Sequence, residues 1–355
     1  MNQDKLNQDI PEPAPLVEVT RGAITESRHR GHVVAVDGDG QMIAHLGAPE
    51  TVSFLRSSSK PQQAIPLVAS GAAARFSLDD AEVAIACGSH NGEPVHTETV
   101  RSMLRKIKLD ESALRCGPHE PYSTKAADEL RAQNSEPTAL HNNCSGKHAG
   151  MLALALHLGA PVETYFEAAS PVQIQIAHTV SLLSGVPVED IAVGIDGCGV
   201  PTFGMTVRAM ASMFVRLAAP LADWETETRD ACRRIIAAMT EHPEMIEGEG
   251  ELDTELMRRL KGRIVSKVGA EGVYAAAVLP SAEWPRGLGL AFKIEDGDKG
   301  SRARSPVVVE TLRQLGVLSA ADADALAQFS GATLRNRRGE RVGEVRTSFE
   351  LRHSS

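Results

Sequence analysis

Strand-forming runs at both ends of the chain, with helix-forming runs between them, leave few architectures open to this sequence. Near the N-terminus, His32-Val33-Val34-Ala35-Val36 and Gln41-Met42-Ile43-Ala44-His45 flank Asp37-Gly38-Asp39-Gly40. Two short apolar runs about an Asp-Gly turn predict a β-hairpin. Near the C-terminus, 263–268, 273–279 and 288–294 are short, β-prone and separated by Gly or Pro. A helix is predicted over 307–315 and a last strand around 344–351. Between the two ends, 61–74, 93–107, 147–158, 171–183, 203–217 and 225–239 read as helices. A serine cluster caps the first of them and basic residues close the second, as helix ends prefer. Strands from both ends joined around a helical insertion predict an α+β fold: an antiparallel sheet from N- and C-terminal strands with a helical lobe between.

The chain of 355 residues suits one large domain or two lobes sharing a core. Residues 1–14 are polar, with prolines at 11 and 13, and are expected to form a flexible leader ahead of a single two-lobed domain over 15–355. The formal net charge is −9 and no Lys/Arg run is interleaved with aromatics, which argues against a nucleic-acid partner. No stretch reaches about 18 apolar residues, so no membrane span is expected. The N-terminus lacks the apolar core of a signal peptide, which points to a cytoplasmic location. The five cysteines, Cys87, Cys116, Cys144, Cys198 and Cys232, are odd in number and widely spaced, which argues for free thiols.

The sharpest local pattern is Arg56-Ser57-Ser58-Ser59-Lys60-Pro61. Ser57 and Lys60 form S-x-x-K at a predicted helix start, a spacing that puts both side chains on one face, one turn apart. An amine there takes the serine proton if burial or a second cation depresses its pKa. Alone, the pattern also fits a serine-capped helix with a solvated lysine. Two elements follow: Ser89-His90-Asn91 (S-x-N) on a loop before a helix, and Lys267-Val268-Gly269 (K-x-G) at the end of a predicted strand. In this order the three match the serine acyl-transferase constellation of penicillin-binding proteins and β-lactamases. Lys267 has a physical use there, because its charge would lower the Lys60 pKa and leave a neutral amine as base.

A second cluster pairs Asn142-Asn143-Cys144-Ser145-Gly146-Lys147-His148 with Ile195-Asp196-Gly197-Cys198-Gly199-Val200-Pro201. Two thiolates from separate loops suit a soft divalent ion such as Zn²⁺, with a nitrogen or oxygen donor and water completing four. Lys147 lies one turn from Cys144 and would have to be deprotonated to ligate. The alternative is two buried thiols beside a tight turn. Asp196 fits either a partner for a substrate ammonium or a turn carboxylate bonded to neighbouring N–H groups. His90 and His148 adjoin the motifs and are candidate pocket groups.

These segments, with Cys87-Gly88-Ser89-His90, Arg115-Cys116-Gly117, His242-Pro243-Glu244-Met245 and Gly248-Glu249-Gly250, resemble the asparaginase II family of rhizobial type, in family order over roughly residues 16–350. The resemblance implies hydrolysis of L-asparagine to L-aspartate and ammonia, a fold like that of serine β-lactamases and glutaminases, and a homodimer. It implies Ser57 as nucleophile and Lys60 as its base, with Ser89 and Lys267 assisting proton transfer. Cys144, Lys147 and Cys198 would hold zinc, and Arg56 and Asp196 would bind substrate. One departure stands out. Where relatives carry a cysteine shortly after the Gly-Glu-Gly turn, this chain has Asp253, a change expected to alter polarity at the pocket edge.

Two other readings compete. A glutaminase or a β-lactam-acting hydrolase would use the same constellation, and one methylene of substrate gives only about 1–3 kcal/mol of discrimination. A silent amino-acid or metal sensor would need neither Ser57 nor Lys60, and the chain has no DNA-binding helix pair or basic tail to transmit a signal.

Overall fold

The computed structural model describes residues 12–354. Residues 1–11 of the expected leader lie outside the described residues. Glu12 and Pro13 are irregular, and regular structure starts at Ala14, one residue inside the predicted leader.

Twelve strands lie among the described residues: β1 (Ala14–Arg21), β2 (Ile24–Asp37), β3 (Met42–Leu46), β4 (Val52–Phe54), β5 (Ala192–Ile195), β6 (Pro201–Thr206), β7 (Ile264–Val268), β8 (Val273–Val278), β9 (Leu288–Ile294), β10 (Ala332–Arg335), β11 (Arg341–Thr347) and β12 (Arg352–His353). The larger sheet runs β10-β11-β1-β2-β9-β8-β7, with β3 joined to β2 and β12 to β3. Its pairings are antiparallel, and strands from the two chain ends meet where β2 pairs β9, Val34 facing Ala291. The predicted hairpin is present, with Val34 opposite His45, and the Asp37 carboxylate accepts the Asp39 and Gln41 N–H groups at 3.0 and 2.9 Å to hold its turn.

The helices include α1 (Lys60–Gln63), a single turn, α2 (Asp80–Cys87), α3 (Pro94–Lys106), α4 (Ser145–Leu158), α5 (Pro171–Ser184), α6 (Val207–Ala218), α7 (Thr226–Glu241), α8 (Leu252–Arg259) and α9 (Arg304–Gln314). The α+β class is as expected: an antiparallel sheet drawn from both ends, with helices between. Two local expectations fail. The helix over 61–74 is broken into Lys60–Gln63, Ile65–Ala69 and Ala72–Arg75, because Pro66 lacks a donor and Gly71 turns left-handed at φ 84°. The helix over 203–217 starts only at Val207, where the Thr206 hydroxyl accepts the Ala209 N–H and ends the preceding strand. That strand belongs to a second, three-stranded sheet, β4-β6-β5, set among the helices.

Helix α6 covers the large sheet, packing on β2, β8 and β9. Met210, Met213, Phe214 and Leu217 are fully buried, each such side chain gaining roughly 1.5–3 kcal/mol. The approach is so close that a Cβ on Gly289 would lie 2.1 Å from the Ala211 carbonyl; only glycine lets the helix settle on β9. No helix among the described residues is long and apolar enough to cross a membrane.

Behind β7 the fold is tied by one carboxylate. Asp322 accepts the Ser319 hydroxyl at 2.7 Å and Arg259 Nε at 2.7 Å, and pairs with Arg263 at 3.3 Å. Burial works to raise its pKa, but these bonds outweigh it and hold the carboxyl down to about 2. With the folded pKa below the unfolded one, this stabilisation is complete above about pH 4 and lost as pH falls toward 2. Asp322→Ala should cost about 1–2 kcal/mol in urea unfolding at pH 7, and the gap from wild type should close in acid.

Candidate active site

Ser57 lies on one turn of 3₁₀ helix, Arg56–Ser59, that runs directly into α1. The turn is pinned from below. Leu55 is fully buried and its N–H donates to the Phe203 carbonyl of β6 at 2.9 Å, while the Ser58 hydroxyl donates back to the Leu55 carbonyl at 2.7 Å. Arg56 takes a left-handed φ of 52°, which costs a residue with a side chain roughly 1–2 kcal/mol. Its guanidinium anchors that strained turn: Nε donates to Asp196 Oδ1 at 2.8 Å. Asp196 also accepts the Gly197 N–H at 2.8 Å, so it is a turn carboxylate and an ion-pair partner at once. Ser57 itself is half-buried, and its hydroxyl has no hydrogen-bond partner among the described residues.

One turn on, Lys60 is fully buried. Its Nζ donates to the Gly88 carbonyl at 2.7 Å, the Ser89 hydroxyl at 2.8 Å and the Asn143 carbonyl at 3.1 Å. The lysine–serine bond that forms is therefore to Ser89, not to Ser57. The arrangement accommodates both protonation states. An ammonium satisfies all three acceptors. A neutral amine gives two hydrogens to the two carbonyls, which can only accept, and turns its lone pair to the Ser89 hydroxyl. Burial lowers the Lys60 pKa and Lys147 adds to this, while Cys144 and Cys198 oppose it. Lys267, expected to lower Lys60, has its own pKa depressed by burial and, with Asp253 opposing, by Lys60; repulsion between two ammoniums acts on both alike.

The Ser89 loop is held by paired backbone: Ser89 N–H donates to the Ile246 carbonyl at 2.7 Å and Asn91 N–H to the Glu247 carbonyl at 2.9 Å. Asn143 is supplied by the turn before α4, where the Asn142 side chain accepts the Cys144 N–H at 2.9 Å and donates to the Cys116 carbonyl at 3.0 Å.

Cys144, Lys147 and Cys198 converge below this centre and are buried. Lys147 Nζ lies 3.1 Å from Cys198 Sγ. The hydrogen bond from Cys144, aided by the Lys147 ammonium and working against burial, pulls the Cys198 thiol down to about 5; the same bond and burial push Cys144 up to about 12. Burial alone would lower Lys147, but Cys144, Cys198 and Asp196 hold it above the usual lysine range. Among the described residues no group of three or more His, Cys, Asp or Glu is placed to hold a metal ion.

Lys267 and Asp253 are both wholly inaccessible, with Nζ 3.9 Å from Oδ2. Asp253 therefore does not edge the pocket, as its position in the chain suggested; it lies beneath the strand that carries Lys267. The histidines beside the motifs are structural. His90 bonds Ser145 Oγ at 2.9 Å and stacks on His96, and burial drives its pKa well down. His148 bonds the Tyr165 hydroxyl at 2.6 Å, and burial takes it down to about 3. Both are neutral at pH 7 and belong to the packing.

A serine with a free hydroxyl, a buried lysine with an exchangeable hydroxyl partner and a second buried lysine are the kinds of group that acyl transfer to a serine requires. The family model described as L-asparaginase II matches residues 17–347. The chain belongs to the L-asparaginase II family. As a member of the L-asparaginase II family it is an amidohydrolase. No curated protein matches it. Similar solved structures include a covalent complex of a Bacillus subtilis glutaminase with 5-oxo-L-norleucine, at 15% identity and TM-score 0.36, covering 82% of this chain and 89% of that one. A Bacillus glutaminase in 4.3 M NaCl aligns at 14% and 0.36, over 81% and 91%. Mglu in its native form in 4.3 M NaCl aligns at 15% and 0.45, over 83% of this chain and 63% of that one.

Gly88 is the joint of this cluster. A Cβ there would sit 2.2 Å from the Met245 carbonyl, forcing apart the two loops whose backbone bonds hold Ser89 and moving the carbonyl that Lys60 bonds. Gly88→Ala should destabilise by about 1–3 kcal/mol in urea and cost turnover about 10²-fold.

Proposed function

We propose that the chain hydrolyses L-asparagine to L-aspartate and ammonia through an acyl-enzyme on Ser57. The observation that carries this reading is the buried Lys60 amine, bonded to Ser89 Oγ at 2.8 Å and to two carbonyls, one turn from a serine whose hydroxyl is free. Membership of the L-asparaginase II family supports the substrate class.

On this reading Ser57 Oγ attacks the side-chain amide carbon. Its proton passes by way of the Ser89 hydroxyl to the Lys60 lone pair, and the oxyanion is met by backbone N–H groups at the start of the 3₁₀ turn, where helix donors lack internal partners. The C–N bond then breaks and Lys60 returns the proton to the departing ammonia. Water, activated by the same base, hydrolyses the ester and frees Ser57. Arg56 and Asp196 suit the substrate's ends. Arg56 commits only Nε to Asp196, leaving its terminal nitrogens for an α-carboxylate, and Asp196 Oδ2 is left for an α-ammonium.

Cys144 Sγ, Lys147 Nζ and Cys198 Sγ would hold a zinc ion by their softness, their closeness and the thiolate character of Cys198, with the metal displacing the protons that Cys144 and Lys147 otherwise keep. Zinc bound there would supply a fixed positive charge beside the substrate site. Residues 15–355 would work as one two-lobed domain, in a homodimer and in the cytoplasm.

Ammonia release from L-asparagine and L-glutamine, measured in parallel, tests the reading. Wild type should turn over asparagine, and Ser57→Ala and Lys60→Ala should lose at least about 10²-fold while keeping the wild-type circular dichroism. Lys60→Ala activity within about tenfold of wild type would remove Lys60 as the base. For the metal, elemental analysis of purified protein should give about one zinc per chain, falling in Cys144→Ser and Cys198→Ser. The same preparation should sediment at twice the chain mass.

A further inference from the structure

Asp253 makes more contacts with the end of β7 than a filler of core space needs. Oδ1 accepts the Ser266 hydroxyl at 2.8 Å and Oδ2 accepts the Val268 N–H at 2.7 Å, so the carboxylate grips the residues on either side of Lys267. β7 is the last strand of the large sheet, and Asp253 satisfies an N–H that an edge strand leaves open. Its own N–H donates to Glu247 Oε2 at 3.0 Å, and the Glu247 carbonyl accepts the N–H of Asn91 at 2.9 Å. One continuous path thus runs from Lys267 through Asp253 and Glu247 to the loop that carries Ser89.

We propose that Asp253 is the positioning residue for Lys267: its buried carboxylate fixes the strand end and balances the ammonium, so that Lys267 stays the charged lysine of the pair while Lys60 exchanges the proton. The inference rests on the amide-hydrolysis reading above for what that cation serves, but the pairing itself does not.

The physical need is plain. An ammonium with no access to water is costly, and the penalty falls hardest on a buried charge left without a partner. Around Lys267 stand Lys60 from α1 and Arg304 from the start of α9, both of which disfavour its charge, and Asp253 and Glu247, which favour it. Cys87, at the end of α2, and Tyr274, opposite Val268 on β8, are the remaining titratable neighbours, and burial keeps both protonated. Burial, followed by the Asp253 charge, raises the Glu247 pKa above the usual carboxylate range. Asp253 is thus the main partner of the ammonium. The Lys267 pKa is already below the usual lysine range, and removing the Asp253 charge would carry it further down.

The test uses full-length protein labelled with ¹⁵N-lysine, with the Lys267 signal assigned by its loss in Lys267→Met. Asp253→Asn keeps the shape and removes the charge. The Lys267 titration should move down by about 1–3 units, and the alkaline limb of kcat for ammonia release should move with it, with KM nearly unchanged. A Lys267 titration within about 0.3 unit of wild type in Asp253→Asn overturns the proposal. If Asp253→Asn fails to fold, the double variant Asp253→Asn/Lys267→Met decides. Recovery of folding in the double variant supports the pair, and failure equal to the single variant overturns it, since Asp253 would then serve packing alone. Wild-type protein inert toward asparagine would reject the proposed function, yet the titration shift would still decide the pairing.

Discussion

The fold is organised around keeping one lysine out of water. Lys60 is fully buried, and a buried ammonium is tolerable only when its hydrogens all find acceptors. Those acceptors come from places far apart in the chain: the Gly88 carbonyl at the end of α2, the Ser89 hydroxyl on the following loop, and the Asn143 carbonyl before α4. Meeting this demand fixes the helical lobe. α2 must end where it does, Gly88 must lack a Cβ so that its loop can lie against 245–247, and the Asn142 turn must deliver a carbonyl inward. The same three acceptors leave a neutral lysine with its lone pair on a hydroxyl, so the packing requirement and the chemical one are met by a single arrangement.

Lys60 is one of three buried lysines in this region. Lys147 is balanced by Cys198 and Asp196, and Lys267 by Asp253. Lys147 and Lys267 each have a counter-charge on a different element, which eases the repulsion among three like charges in a small volume. The division of labour follows from the partners. Lys60 alone of the three has a hydroxyl among its hydrogen-bond partners, and so is the lysine placed to exchange a proton.

How much of this was legible in the sequence depends on the range of the contact. The S-x-x-K spacing needs only one helical turn, and Ser57 and Lys60 do lie one turn apart. The α+β class followed from where the strand-prone runs fall. What failed was nonlocal. β6 and α6 form one apolar stretch, and periodicity extended the helix backward through Phe203 because the Thr206 cap acts only through its bond to Ala209. β1 and the small sheet were unread because their strands gain definition from partners, such as Val17 against Thr347 and Phe54 against Gly204. Asp253 was noticed but misplaced. Its neighbours lie 13 and 15 residues ahead on β7, a distance no local pattern reports.

Substrate length is governed, on the proposed mechanism, by a single backbone turn. Arg56, which with Asp196 would hold the amino-acid end, and Ser57, which would attack the amide, are neighbours in the chain. Their separation therefore cannot relax by a hinge between domains. It is set by the left-handed φ of Arg56, by the Leu55–Phe203 backbone bond beneath it, and by the Asp196 turn that closes β5 against β6. A substrate longer by one methylene has to be accommodated by moving that turn, which is tied on both sides to buried structure. Selection for chain length would thus come less from a hydrophobic pocket, whose reach is about 1–3 kcal/mol per methylene, than from the stiffness of a strained residue held between two sheets.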